Sequence, residues 1–146
     1  MIKIGIDPDI DKSGFALTHE KNIELTTYSI PNLLKRIREL KQDNGPENIK
    51  IFIEFGELNK SNFHIKFIPS GVRDIKAYCA QIGANTGKNF ATAKLLYDLI
   101  TSEQISCVKV RPVTRKLDSK TFKALTKINK RTNQEERDAF MLIFGR

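Results

Sequence analysis

Asp7 closes a short apolar run, Ile2, Ile4 and Ile6, and Asp9 and Asp11 follow it. Glu54 is the odd residue of a second run, Ile51-Phe52-Ile53-Glu54-Phe55. A carboxylate in such company is costly unless it is paired or metal-bound. Glu135 and Asp138 lie three apart in a helical stretch and so share a face. Carboxylates brought together repel one another, and a hard divalent cation resolves the repulsion. Mg²⁺ takes oxygen ligands and keeps waters and phosphate oxygens in its shell. Two such ions about 4 Å apart can activate a water and stabilise the leaving oxygen of a phosphodiester. Asp9 and Asp11 are read as turn residues, whose short side chains bond local backbone.

The elements that must position these acids follow from periodicity. Residues 2–6, 14–18 and 22–28 read as three strands with short connections, an antiparallel meander. Ser29 and Pro31 open a helix with Leu33, Leu34, Ile37 and Leu40 at helical spacing, stopped by Asn44-Gly45-Pro46. Residues 49–55 form a dense β-branched strand, of the kind found parallel and covered on both sides. Residues 56–72 are loop-like, and residues 74–102 read as a long helix. Gly83 and Gly87 inside that helix weaken it, so close packing on the sheet is expected, with approach of another backbone or a ligand, or a kink, as the alternatives. A strand over 105–110, a short basic helix from Ser119 and a last helix capped by Asn133 complete the chain. The order is β-β-β-α-β-α-β-α-α in a single domain, 1–146. Asp7 and Glu54 then end their strands on the same edge of the sheet, where ligands gather in α/β folds.

Charge adds a partner. The formal charge is +8, and the segment from Lys109 to Arg131 carries all of it, with nine Lys or Arg against the single acid Asp118. Such a segment is an electrostatic footprint for nucleic acid. Bases around an acidic centre describe a metal-dependent nuclease, the bases holding the phosphate backbone without reading sequence. Arg73, Lys88, Asn89, Arg115, Lys116, Lys120 and Lys123 are candidate phosphate contacts. Phe63 and Phe67 are candidates for stacking on opened bases; packing into the core or a dimer contact is the competing role.

Other classes find little support. Cys79 and Cys107 lack metal-ligand spacing and read as small core thiols, and two histidines are too few for a zinc site or a Ser-His-Asp triad. No apolar run approaches the ~20 residues of a membrane span. Asp7 interrupts any signal-peptide stretch, so a cytoplasmic location is expected.

Ile4-Gly5-Ile6-Asp7-Pro8 with Ser13-Gly14-Phe15-Ala16, then Phe52-Ile53-Glu54, Val108-Lys109-Val110-Arg111-Pro112 and Glu135-Glu136-Arg137-Asp138-Ala139, resembles in order the RuvC family of Holliday-junction resolvases, within the RNase H-like superfamily. The resemblance implies an RNase H-like mixed five-stranded sheet, three antiparallel strands then two parallel, with helices on both faces. It implies Asp7, Glu54, Glu135 and Asp138 as ligands of two Mg²⁺ ions, with Mn²⁺ as substitute. It further implies a homodimer that nicks two opposed strands of a four-way DNA junction. The chain departs from the family at Asp9, where Gly is usual, and at Glu135, where Asp is common. It is short for a bacterial member, which suits a phage-type one, and the family's junction-probing aromatic has no clean counterpart. A flap, hybrid or transposition nuclease of the same fold, and a non-catalytic DNA-binding module, are the alternatives. An actin-like ATPase would need a second such domain.

Overall fold

The computed structural model describes residues 1–59, 68–113 and 116–146. Among the described residues there are five strands, β1 (Ile2–Asp7), β2 (Ser13–His19), β3 (Asn22–Tyr28), β4 (Ile49–Glu54) and β5 (Ser106–Val110). Four α-helices accompany them, α1 (Ile30–Asn44), α2 (Ile75–Ser102), α3 (Ser119–Thr126) and α4 (Gln134–Met141). The sheet order is β3-β2-β1-β4-β5. The β1–β2 and β2–β3 pairs are antiparallel, and β1–β4 and β4–β5 are parallel. This is the expected RNase H-like sheet, with the dense strand β4 inside it.

Strand alternation divides the core. Ile2, Ile4 and Ile6 of β1 and Ile49, Ile51 and Ile53 of β4 face α1 and α2, meeting Leu33, Ile37, Leu96 and Ile100. The other face carries Ala16, Leu25 and Phe52 against Phe122 of α3 and Ala139 and Phe140 of α4. Asp7 and Glu54 have the parity of this second face.

Two glycines let α4 lie directly on the sheet. A Cβ at Gly5 would overlap the Ala139 carbonyl, and one at Gly14 would overlap the Glu135 carbonyl. Gly5 pairs with Ala16 and Asp7 with Gly14, so the seat is a floor of small residues beside the acid. The start of α4 is fixed by a capping box: Asn133 Oδ1 accepts from the Glu136 N–H at 2.8 Å, and Glu136 Oε2 accepts from the Asn133 N–H at 3.0 Å. Glu136 is thereby spent on the cap.

Three expectations need correction. Among the described residues nothing approaches within 4 Å of a Cβ placed at Gly83 or Gly87, so neither packs on the sheet. The buried residues of α2, Thr92, Ala93, Leu96 and Ile100, all lie in its C-terminal half. A strand of six residues spans about 20 Å, whereas this 28-residue helix spans about 42 Å. The N-terminal half therefore runs past the sheet edge. Cys79 belongs to that half and is exposed, not a core thiol; Cys107 is half-buried, and both are free. Ser29 occupies the N-cap of α1 but its hydroxyl makes no cap bond.

Gly14→Ala is expected to destabilise the fold by about 1–3 kcal/mol, because backbone must shift to admit the methyl group. Gly83→Ala is expected to stabilise it by about 0.5–1 kcal/mol, by helix propensity alone. Chemical denaturation of the two variants measures both signs.

Candidate functional site

β1 and β4 end side by side. Ile6 pairs with Ile53, and the next residues in that parallel register are Asp7 and Glu54. The α4 seat brings the third acid. Asp138 is 8% exposed, one residue before the Ala139 that rests on Gly5. Its Oδ1 accepts from Gln134 Nε2 at 2.6 Å. Its Oδ2 lies 2.7 Å from Lys116 Nζ. That ammonium meets the oxygen off the hydrogen-bonding direction, so Oδ2 is a buried atom without an aligned donor among the described residues.

Glu135 is different. It is exposed and lines an open groove with Asp9, Asp11, Lys12, Thr27 and Asn133. The structure thus gathers Asp7, Glu54 and Asp138, and leaves Glu135 at the rim. Asp9 is a turn residue, as read: its Oδ1 accepts from the N–H groups of Asp11 at 2.8 Å and Lys12 at 3.1 Å.

The crowding is visible in proton affinity. Burial, then the charge of Glu54, then Asp138 and Glu135, push Asp7 from its ordinary 3.8 up to about 8, against the opposing field of Lys116. Burial likewise raises Glu54, with Asp138 adding to it and Lys116 opposing. Burial pulls Lys116 down, but its pairing with Asp138 and the fields of Asp7 and Glu54 outweigh this and leave it raised.

The donors are all carboxylate oxygens, which fits a hard divalent cation. The buried Asp138 Oδ2, lacking an aligned donor, fits the same role. Among the described residues no three His, Cys, Asp or Glu side chains close to chelating distance. Lys116 supplies the positive charge instead.

Two residues to which the sequence reading gave no role support the site. Arg137 is 9% exposed, and it donates to the carbonyls of Leu117 at 3.1 Å and Thr132 at 2.7 Å, and to Gln134 Oε1 at 2.8 Å. Gln134 passes the chain of bonds to Asp138. The turn between Lys116 and α3 is thereby tied to the helix that carries the acid. Polar residues one and four positions before an inward Asp were the available signal, since position i−4 shares its helix face.

The basic candidates fall in three places. Lys120 is exposed and Lys123 half-buried on α3, whose Phe122 is fully buried against Phe140 with ring centroids 5.6 Å apart. Lys88 and Asn89 are exposed on α2 beside Phe90, whose ring lies against Gly56, so they are level with the acid-bearing edge. Arg73 precedes α2 and is separated from that level by about 20–25 Å of helix. Phe63, Phe67 and Arg115 lie outside the described residues. Lys116, expected on phosphate, is engaged with Asp138.

No protein-family model matches the chain, and no curated protein matches it. Solved structures do. The T. thermophilus RuvC in complex with Holliday junction substrate aligns with a TM-score of 0.51 and 13% identity, covering 97% of this chain and 89% of that one. A second Thermus thermophilus RuvC structure aligns with a TM-score of 0.46 and 12% identity, over 97% of this chain and 90% of that one. The chain has a RuvC-like fold.

The Asp7 shift fixes the sign of a pH effect. Between about pH 4 and 8 the folded, metal-free protein holds a proton that the unfolded chain releases. This contribution to stability is full at low pH and is lost as pH rises through 8. Asp7→Asn removes it. In EDTA the variant should gain melting temperature over the unmodified protein at pH 9, on the order of 5 °C more than at pH 5. Thermal unfolding at the two pH values tests this, and an equal difference at both would contradict it.

Proposed function

We propose that this chain is a divalent-metal-dependent endonuclease for branched DNA, cutting four-way junctions by paired nicks as a homodimer. One observation carries the reading: Asp7, Glu54 and the buried Asp138 converge from two parallel strands and a helix at one edge of a RuvC-like sheet. Asp7, Glu54 and Asp138 would hold the ions, with Glu135 reaching in from the rim. Mg²⁺, or Mn²⁺ in its place, would supply the charge that activates a water and stabilises the leaving oxygen. The protein's own part is positioning. The parallel register holds Asp7 against Glu54, and the Gly5 and Gly14 seat holds Asp138 at their level. Lys120 and Lys123 on α3, and Lys88 and Asn89 on α2, would hold the backbone on either side of that edge.

Labelled four-way junction, linear duplex, flap and RNA–DNA hybrid, each with Mg²⁺, Mn²⁺ or EDTA, form the test. Metal-dependent paired nicks in the junction, lost in Asp7→Asn and Glu54→Gln, are expected. Cutting of another substrate would keep the metal site and change the biology. Tight DNA binding with no cutting anywhere would favour a binding module. Replacing Lys120 and Lys123 together by Ala should weaken junction binding and lower the slope of log affinity against log salt by about 2. Binding titrations at several salt concentrations measure that slope, and an unchanged slope would move the DNA surface elsewhere.

A further inference from the structure

Lys116 stands where the acids lack positive charge. Gln134 already holds Asp138 Oδ1, so Oδ2 is the oxygen left for another cation, and the Lys116 ammonium is 2.7 Å from it. A divalent ion at that oxygen and the ammonium would be like charges in contact, where water screens poorly. The two cannot hold the oxygen together at full strength.

The lysine side chain lies largely in solvent. It is 65% exposed, and Asp138 is its ion-pair partner among the described residues, without an aligned hydrogen bond. The backbone beside it is firmly held, because buried Arg137 grips the Leu117 carbonyl. The anchor can stay in place while the ammonium swings outward.

We propose that Lys116 is an exchangeable counter-ion. It neutralises the acids of the metal-free protein, yields Asp138 to an entering divalent cation, and turns its charge toward solvent, where a DNA phosphate would meet it. This rests on the reading of Asp7, Glu54 and Asp138 as metal ligands. It joins two roles in one side chain, since metal binding frees the charge that phosphate needs. By linkage each event then favours the other.

Mn²⁺ titrations followed by thermal unfolding, starting from EDTA, test the proposal on the unmodified protein, Lys116→Gln and Asp7→Asn. Lys116→Gln should melt lower in EDTA, having lost its counter-charge. Its Mn²⁺ midpoint should fall about tenfold, the size expected when a charged contact no longer has to be broken. Asp7→Asn should lose most of the Mn²⁺ response. An unchanged or higher midpoint in Lys116→Gln, with the Asp7→Asn response lost, overturns the exchange and leaves the metal site standing. A full response in Asp7→Asn overturns the metal site and the exchange with it. Should Lys116→Gln fail to fold, amine-reactive labelling of the unmodified protein, read by peptide mass spectrometry, decides. Several-fold faster labelling of Lys116 with Ca²⁺ than with EDTA supports the exchange, and an equal rate overturns it.

Discussion

Backbone contact between α4 and the sheet sets the depth of everything around the acids. Helices normally stand off a sheet by the length of their side chains. Here the Glu135 and Ala139 carbonyls press onto Gly14 and Gly5, where no Cβ intervenes. Asp138, between them in sequence, is carried down to the level of Asp7 and Glu54. The same seating packs Phe140 against Phe122 and so fixes α3 relative to α4. The repulsion among the acids is borne by apolar burial around them, because the cluster of Ala16, Phe52, Phe122, Phe140 and Ile143 lies on the same face.

The charge of the basic segment is partly committed inside the molecule. Lys109 lies over the rings of Phe55 and Tyr97, 4.4 and 4.3 Å from their centroids. Lys130 donates to the Leu25 carbonyl at 2.7 Å, and Lys116 pairs with Asp138. These cations fasten loops to the sheet or balance its acids. A count of lysines therefore overstates the charge offered to a polyanion. Acidic centre and basic surround are one electrostatic system, joined at Lys116.

Much of this was legible in the sequence where one local rule acts alone. Two-residue alternation placed the strands, and the density of β4 marked it as interior. Asn133 marked the start of α4, but which of Glu135 and Glu136 turns toward the acids stayed open until the bonds that tie Glu136 to the cap were seen. Glu54 announced itself by being out of place. What was not legible depended on distance across the fold. Nothing in a run of basic residues distinguishes Lys116, whose partner Asp138 comes twenty-two residues later on a helix. Arg137 reads as a surface cation until its carbonyl partners are known. The glycines of α2 were misread for a reason that simple lengths expose: a helix twice as long as its strands cannot lie wholly on them.

That overhang gives α2 two thermodynamic characters. Its C-terminal half is buried against the sheet and opens only when the sheet does. Its N-terminal half has backbone hydrogen bonds, the Asp74 cap on the Ala77 N–H and little burial. Alone, a helix of that length is marginal in water. It is sustained by propagation from the packed turns, so each residue farther from Phe90 rests on fewer constraints. Amide exchange should become faster from Thr92 back toward Ile75, a gradient along one unbroken helix. A single element thus belongs to two cooperative units, and the boundary between them falls level with the carboxylates.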